Sequence, residues 1–187
     1  MRSRLNRNIS TRNQIAAGNW QLIIKIAGAR SRGHCRYGIA YEALTLQGDK
    51  MLFGVASSNA RSSIGALLEA VVKAGLAAKN KGFQHVLFLI DSKGLTQIIR
   101  KVCATDWLDS VRLANFSFLK QNDLFCDVFW IPHVIVKDLF SVAKVATRVP
   151  LNYYCCFPVG SNLLQCTFVI YFFFKLYGKK KFSIGNF

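Results

Sequence analysis

Asp91 closes the apolar run of "HVLFLIDSKGLTQIIRKV", residues 85–102, in a chain with nine acids against twenty-five Lys and Arg and a net charge of +16. Residues 86–90 read as a buried strand, and Ser92-Lys93-Gly94 breaks it before a helical pattern resumes. Asp91 therefore stands at the C-terminal end of a strand, the edge where open α/β sheets bind ligands. The competing role is structural, as the cap of the next helix.

Other chemistry finds little support in the residue pattern. His34, His85 and His133 have no spacing that suggests a Ser-His-Asp arrangement, and they read as surface or edge-strand residues. Neither a G-x-x-x-x-G-K-S/T nor a G-x-G-x-x-G phosphate loop occurs. Cysteines at 35, 103, 126, 155, 156 and 166 form no C-x-x-C and have no His at metal-ligand spacing, so buried thiols of a reducing compartment are expected. Trp20, Trp107 and Trp130 are expected in the core or at a sheet edge, with base stacking as the alternative.

The elements that must position Asp91 follow from texture. An arm over residues 1–18 is polar and basic. "WQLIIKIAGA", "YGIAYEALTLQ" and "KMLFGVASS" alternate as strands, separated by "RSRGHCR" and "GDK", which predicts a three-stranded antiparallel meander. "SIGALLEAVVKAGLAAKN", residues 63–80, is helical, with Ser62 or Ser63 as N-cap and Gly82 just past its end. After the Asp91 strand come "GLTQIIRKV", a second helix "WLDSVRLANFSFLKQN", a strand "LFCDVFWIP" and a helix "VKDLFSVAKVATR" that Pro150 closes. The order βββαβαβα gives one α/β domain over residues 19–149, a mixed five-stranded sheet flanked by helices.

Charge and hydropathy divide the chain. Residues 1–15 hold four Arg and residues 151–187 four Lys, neither with an acid, so the flanks carry half the excess and the middle is moderately basic. A field of this sign favours nucleic acid or an anionic membrane surface. The opening "MRSRLNRNISTRNQ" has the makeup of either a loose basic tail or an organelle transit segment, and no secretory signal is visible. Residues 150–187 form a hydrophobic tail. Its stretch 151–174 is uncharged and precedes "KLYGKKK", as a membrane anchor would. Asn152, Pro158, Gly160, Ser161, Asn162 and Gln165 interrupt that stretch, and 163–174 is too short to span, which favours an unselected or alternatively spliced extension. Such a segment would be an exposed apolar liability.

With "IAGAR" on the first strand, "EAVVKAGLAAKNKG" on the first helix, "FLIDSKGLTQII" after it and "FWIPHVIVKDLFSVAKVA" at the end, residues 20–148 resemble the plant ribonuclease H-like domains of retroelement-derived reverse-transcriptase proteins. That resemblance implies hydrolysis of RNA in RNA-DNA hybrids by a pair of Mg2+ ions about 4 Å apart, which align a water and stabilise the leaving oxygen. Mg2+ requires oxygen ligands, so four acids from separate elements converge in such a site.

Carried over residue by residue, the pattern is mostly lost. Where the family places an Asp before Gly-Ala, this chain has Ala27. The family's helix Glu falls on Leu68 counted from Gly75 or on Leu67 counted from Asp91; Glu69 comes one or two residues late. Since each residue turns a helix by about 100°, Glu69 serves only if a one-residue deletion is absorbed near the helix start. Asp91 and Ser92 match. Phe140 stands at the last Asp, with Asp138 two residues before it on nearly the opposite side, and His133 and Val136 replace an Arg and an Asn.

The expectation is thus a degenerate, nucleic-acid-binding ribonuclease H-like domain with catalysis lost or weakened, because function resides in the site and not the fold. Arg30, Arg32 and Arg36, in or beside the first turn, and Lys93 beside Asp91 would grip phosphates, unless they form only a solvated basic turn. One alternative is an active Mg2+-dependent hybrid ribonuclease using Asp91 and Glu69, with Asp138 or Glu42 in shifted positions. The other is a membrane-attached or protein-binding fragment acting through its apolar tail. The expected location is intracellular, in nucleus or cytoplasm, with organelle import as an option.

Overall fold

The structure, a computed structural model, describes residues 19–31, 36–102, 106–148 and 152–156. Strands β1 (Leu22–Arg30), β2 (Tyr37–Leu44) and β3 (Lys50–Ser58) form the expected antiparallel meander. They are followed by α1 (Ser63–Asn80), β4 (His85–Ile90), α2 (Lys93–Lys101), α3 (Trp107–Gln121), β5 (Phe125–Trp130), a 3-10 turn (His133–Val136) and α4 (Lys137–Ala146). The sheet has six strands in the order β5-β4-β1-β2-β3-β6, one more than the five expected. The extra strand β6 (Asn152–Cys156) pairs antiparallel with β3, and it comes from the stretch expected to be tail.

Local chemistry accounts for the β6 register. Tyr41 on β2, Gly54 on β3 and Tyr154 on β6 are cross-strand neighbours. The Tyr41 ring lies over Gly54, where a Cβ would collide with it. Glycine leaves a gap in a strand's side-chain row, and an aromatic neighbour fills it. Burial, followed by Cys156, pushes the Tyr41 hydroxyl up to about 12.

Two faces of the sheet are covered. On one, α1 packs Leu68, Val71 and Ala74 onto Leu22, Ile24, Ile26, Ile39, Leu52 and Phe88, and α3 adds Leu113, Phe116 and Leu119. Phe88 and Phe116 meet edge to face with centroids 6.1 Å apart. On the other, α4 lies close to the sheet through small residues, with Ala143 and Leu139 against Ala27, Ala29 and Ala40. Gly38 makes that approach possible, since a Cβ there would collide with the Ala143 carbonyl.

The starts of α1, α2 and α3 are capped by side chains, and that of α4 is not. Ser62 Oγ accepts from the Gly65 N–H at 2.8 Å and donates to Asp109 Oδ2 at 2.7 Å. Asp109, buried on α3 and also 3.3 Å from Arg112, thereby ties α3 to the start of α1. Ser92, not Asp91, caps α2, its Oγ accepting from the Leu95 N–H. The cap role expected for Asp91 is therefore taken by its neighbour, and the Asp91 carboxylate is left for other partners.

Candidate functional site

Parallel pairing of β1 with β4 runs up to Ile26 against Ile90. Ala27 and Asp91 therefore stand side by side one step further, at the C-terminal edge of the sheet. Asp91 is half-buried, and its Oδ2 lies 2.6 Å from His133 Nδ1. The His133 ring in turn meets Phe140 edge-on, with centroids 4.9 Å apart at 80°. Trp130, at the end of β5, donates its indole N–H to the Asp91 carbonyl at 3.1 Å, and Lys93 Nζ sits 4.6 Å from the centre of the Trp130 ring. That cation–π contact fixes a flexible lysine over the Trp130 ring.

Glu69 is turned elsewhere. Its Oε2 accepts from Ser58 Oγ at 2.6 Å and its Oε1 pairs with Lys73 at 2.8 Å, one helical turn on. Ser58 ends β3, three strand spacings from β4, or about 14 Å between backbones. The two positions to which the family's helix acid maps, Leu67 and Leu68, are both buried, and Leu67 packs over Gly28 of β1. An acid one residue late thus faces the end of β3, where a serine and a lysine satisfy it.

The remaining acids are no better placed. Ala27 is 0% exposed, packed among Ala29, Ala40, Val136 and Leu139. Asp138 is exposed in the first turn of α4, and Glu42 lies between Lys25 and Lys50 at 3.2 and 3.5 Å. Among the described residues no group of three or more His, Cys, Asp or Glu is arranged to hold a metal ion. The donor set does not fit a pair of Mg2+ ions: one acid is held by an imidazole, a second is spent on β3, and the other two positions are apolar.

The basic candidates gather at the same edge as Asp91. Arg30 ends β1, exposed, with its guanidinium 5.7 Å from the Tyr37 ring centre; Arg36 precedes β2, and Lys93 opens α2. Arg32 and His34 lie outside the described residues. Trp130 is 39% exposed at the sheet edge, whereas Trp107 is 69% exposed on α3 and belongs to neither core nor sheet. His85, expected at the surface or on an edge strand, is instead half-buried at the start of β4, which is paired on both sides, and stacks on Phe125 at 5.0 Å. Cys126 is a buried thiol pushed up to about 12, chiefly by burial, while Cys155 and Cys156 are half-buried on β6. Cys35, Cys103 and Cys166 lie outside the described residues, as does most of the suggested anchor. Among the described residues no helix is long and apolar enough to cross a membrane.

No family model matches the chain, and no curated protein matches it. Solved structures do. RNase H1 from the halophilic archaeon Halobacterium salinarum NRC-1 is similar with a TM-score of 0.60 and 17% identity, over 68% of this chain and 97% of that one. LC11-RNase H1 in complex with RNA/DNA hybrid is similar with a TM-score of 0.62 and 15% identity, over 68% and 96%. The foamy viral protease-reverse transcriptase in complex with dsDNA follows with 0.55 and 13%, over 69% and 95%. The chain has a ribonuclease H-like α/β fold.

Proposed function

We propose that this protein is a nucleic-acid-binding domain of the hybrid ribonuclease family, a degenerate copy of the plant retroelement-derived type, in which phosphate binding persists and hydrolysis is lost. One observation carries the reading: the sheet edge that presents Arg30, Arg36 and Lys93 also holds an Asp91 whose carboxylate is engaged by His133. Cations at a sheet edge bind phosphates without reading sequence. Two of the fold neighbours were solved with RNA/DNA hybrid or dsDNA, which supports the same partner class here. The free thiols Cys126, Cys155 and Cys156 accord with an intracellular, reducing location.

Hydrolysis needs charge neutralisation on both the attacking and leaving oxygens. A lone carboxylate hydrogen-bonded to an imidazole supplies neither, and Phe140 packs edge-on against that imidazole.

The test is a binding titration against RNA-DNA hybrid across salt concentrations, with a parallel Mg2+ titration of cleavage. Three phosphate contacts give a log-log salt slope of about −3, and Arg30→Ala or Lys93→Ala each reduce it by about 1. Salt-independent binding removes the phosphate reading. Mg2+-dependent cleavage that Asp91→Asn abolishes would establish an active enzyme instead.

A further inference from the structure

Helix α3 buries Leu113, Phe116 and Leu119 against α1 and leaves the opposite face apolar and uncovered. Trp107, Val111 and Phe118 recur at helical spacing and are 69, 51 and 63% exposed. Beside them Val102, the last residue of the α2 end, is 67% exposed and held at φ 50°, a left-handed conformation that costs a β-branched residue energy. Val102, Leu113, Ala114 and Phe118, together with four uncharged polar residues that include Asn115, line an open groove of about 610 Å3, and none of these described lining residues is charged. In a chain of net charge +16 such a surface is unsuited to phosphates and suited to a neutral apolar segment.

We propose that this groove is the docking site of the chain's own residues 163–174, "LLQCTFVIYFFF". This segment carries no charge, and Lys175 directly after it returns the chain to polar character. The exit point and the span both permit it. β6 ends at Cys156 opposite Leu52, near the start of β3, and α3 ends at Gln121 on that same edge, just before β5 begins. From β6 to β4 is four strand spacings, about 19 Å in the plane of the sheet, and with α3 about 10 Å above that plane the path is about 21 Å; the seven steps from Cys156 to Leu163, extended, reach about 23 Å. Leu163 is thus the first residue able to arrive over α3, and it is where the dense apolar run begins. Docking would cover Phe118, Val102 and the segment's own apolar surface together.

Cys166 lies inside the segment and supplies a native reporter. In the full-length chain carrying Asn115→Cys, an exposed groove position, mild oxidation followed by peptide mapping is expected to give an intrachain disulfide to Cys166. The control Gln47→Cys, in the β2–β3 turn, gives none. A disulfide between two chains shows a second copy in the groove and overturns the proposal, as does equal cross-linking in the control. In the unmodified chain, amides of 163–174 are expected to exchange at least tenfold more slowly than in Phe118→Glu. Equal exchange in both, or co-sedimentation of both with neutral phosphatidylcholine vesicles, likewise overturns it.

Discussion

Under α1 the sheet presents Leu22, Ile24, Ile26, Ile39 and Phe88; under α4 it presents Ala27, Ala29 and Ala40 of β1 and β2 with Gly38 beside them, and larger residues, Phe53 and Val55, only on β3. Large side chains fill the space beneath α1 and α3, and small ones let α4 approach the backbone. The first face depends on the apolar volume it buries. The second depends on how little is there, so an added atom is felt at once. Ala27, the position at which the resemblance calls for a carboxylate, lies on the thin face, where α4 leaves no room for a hydrated ion. An alanine at this position and the tight seating of α4 are two aspects of one packing solution.

The contrast can be broken most sharply by Phe88→Ala, which removes a fully buried ring facing Phe116 and is expected to cost about 3–5 kcal/mol in urea unfolding. A loss near 1 kcal/mol would mean that the thick face is loosely packed. Ala27→Asp places an unpaired charge at a 0% exposed site and should cost about 3 kcal/mol, with no recovery on adding Mg2+. Recovery with Mg2+ would revive the metal site. Gly38→Ala, against the Ala143 carbonyl, should cost about 2 kcal/mol although it adds one carbon; no loss would mean that α4 can lift off freely. Ser62→Ala removes the α1 cap and a partner of Asp109, at about 1 kcal/mol.

The smallest effect at neutral pH comes from Cys126, whose pKa is raised in the folded state to about 12 from 9.0 when free. The unfolded chain then loses its proton first, so this group's contribution is intact below pH 9.0 and lost as pH rises toward about 12. Cys126→Ala should flatten the decline of stability across that window and leave stability's pH dependence near neutrality unchanged.

Much of the scaffold was legible because it is locally encoded. The alternation over β1 to β3, the Ser62 cap and the apolar run before Asp91 each depend on near neighbours in sequence, and each appears as expected. β6 was not legible: "NYYCC" lacks alternation, and its place is set by Tyr154 meeting Gly54 and Tyr41, residues about a hundred positions earlier. At the site, Asp91 was found by its place after a strand, but its partner His133 is 42 residues away and the Glu69–Ser58 bond requires knowing how α1 is rotated. The Asp109 tie to Ser62 spans 47 residues and had no sequence signal at all. Pairings made by the fold are invisible to a reading that depends on spacing.

Pairing of β6 with β3 also sets a clock. Ala56 finds Asn152 about a hundred residues later, so at roughly 5–20 residues per second the ribosome leaves the β3 edge without its partner for about 5–20 s. An open strand edge is a template for other nascent chains during that interval. Ribosome pausing before residue 152 is expected to raise aggregation of this protein.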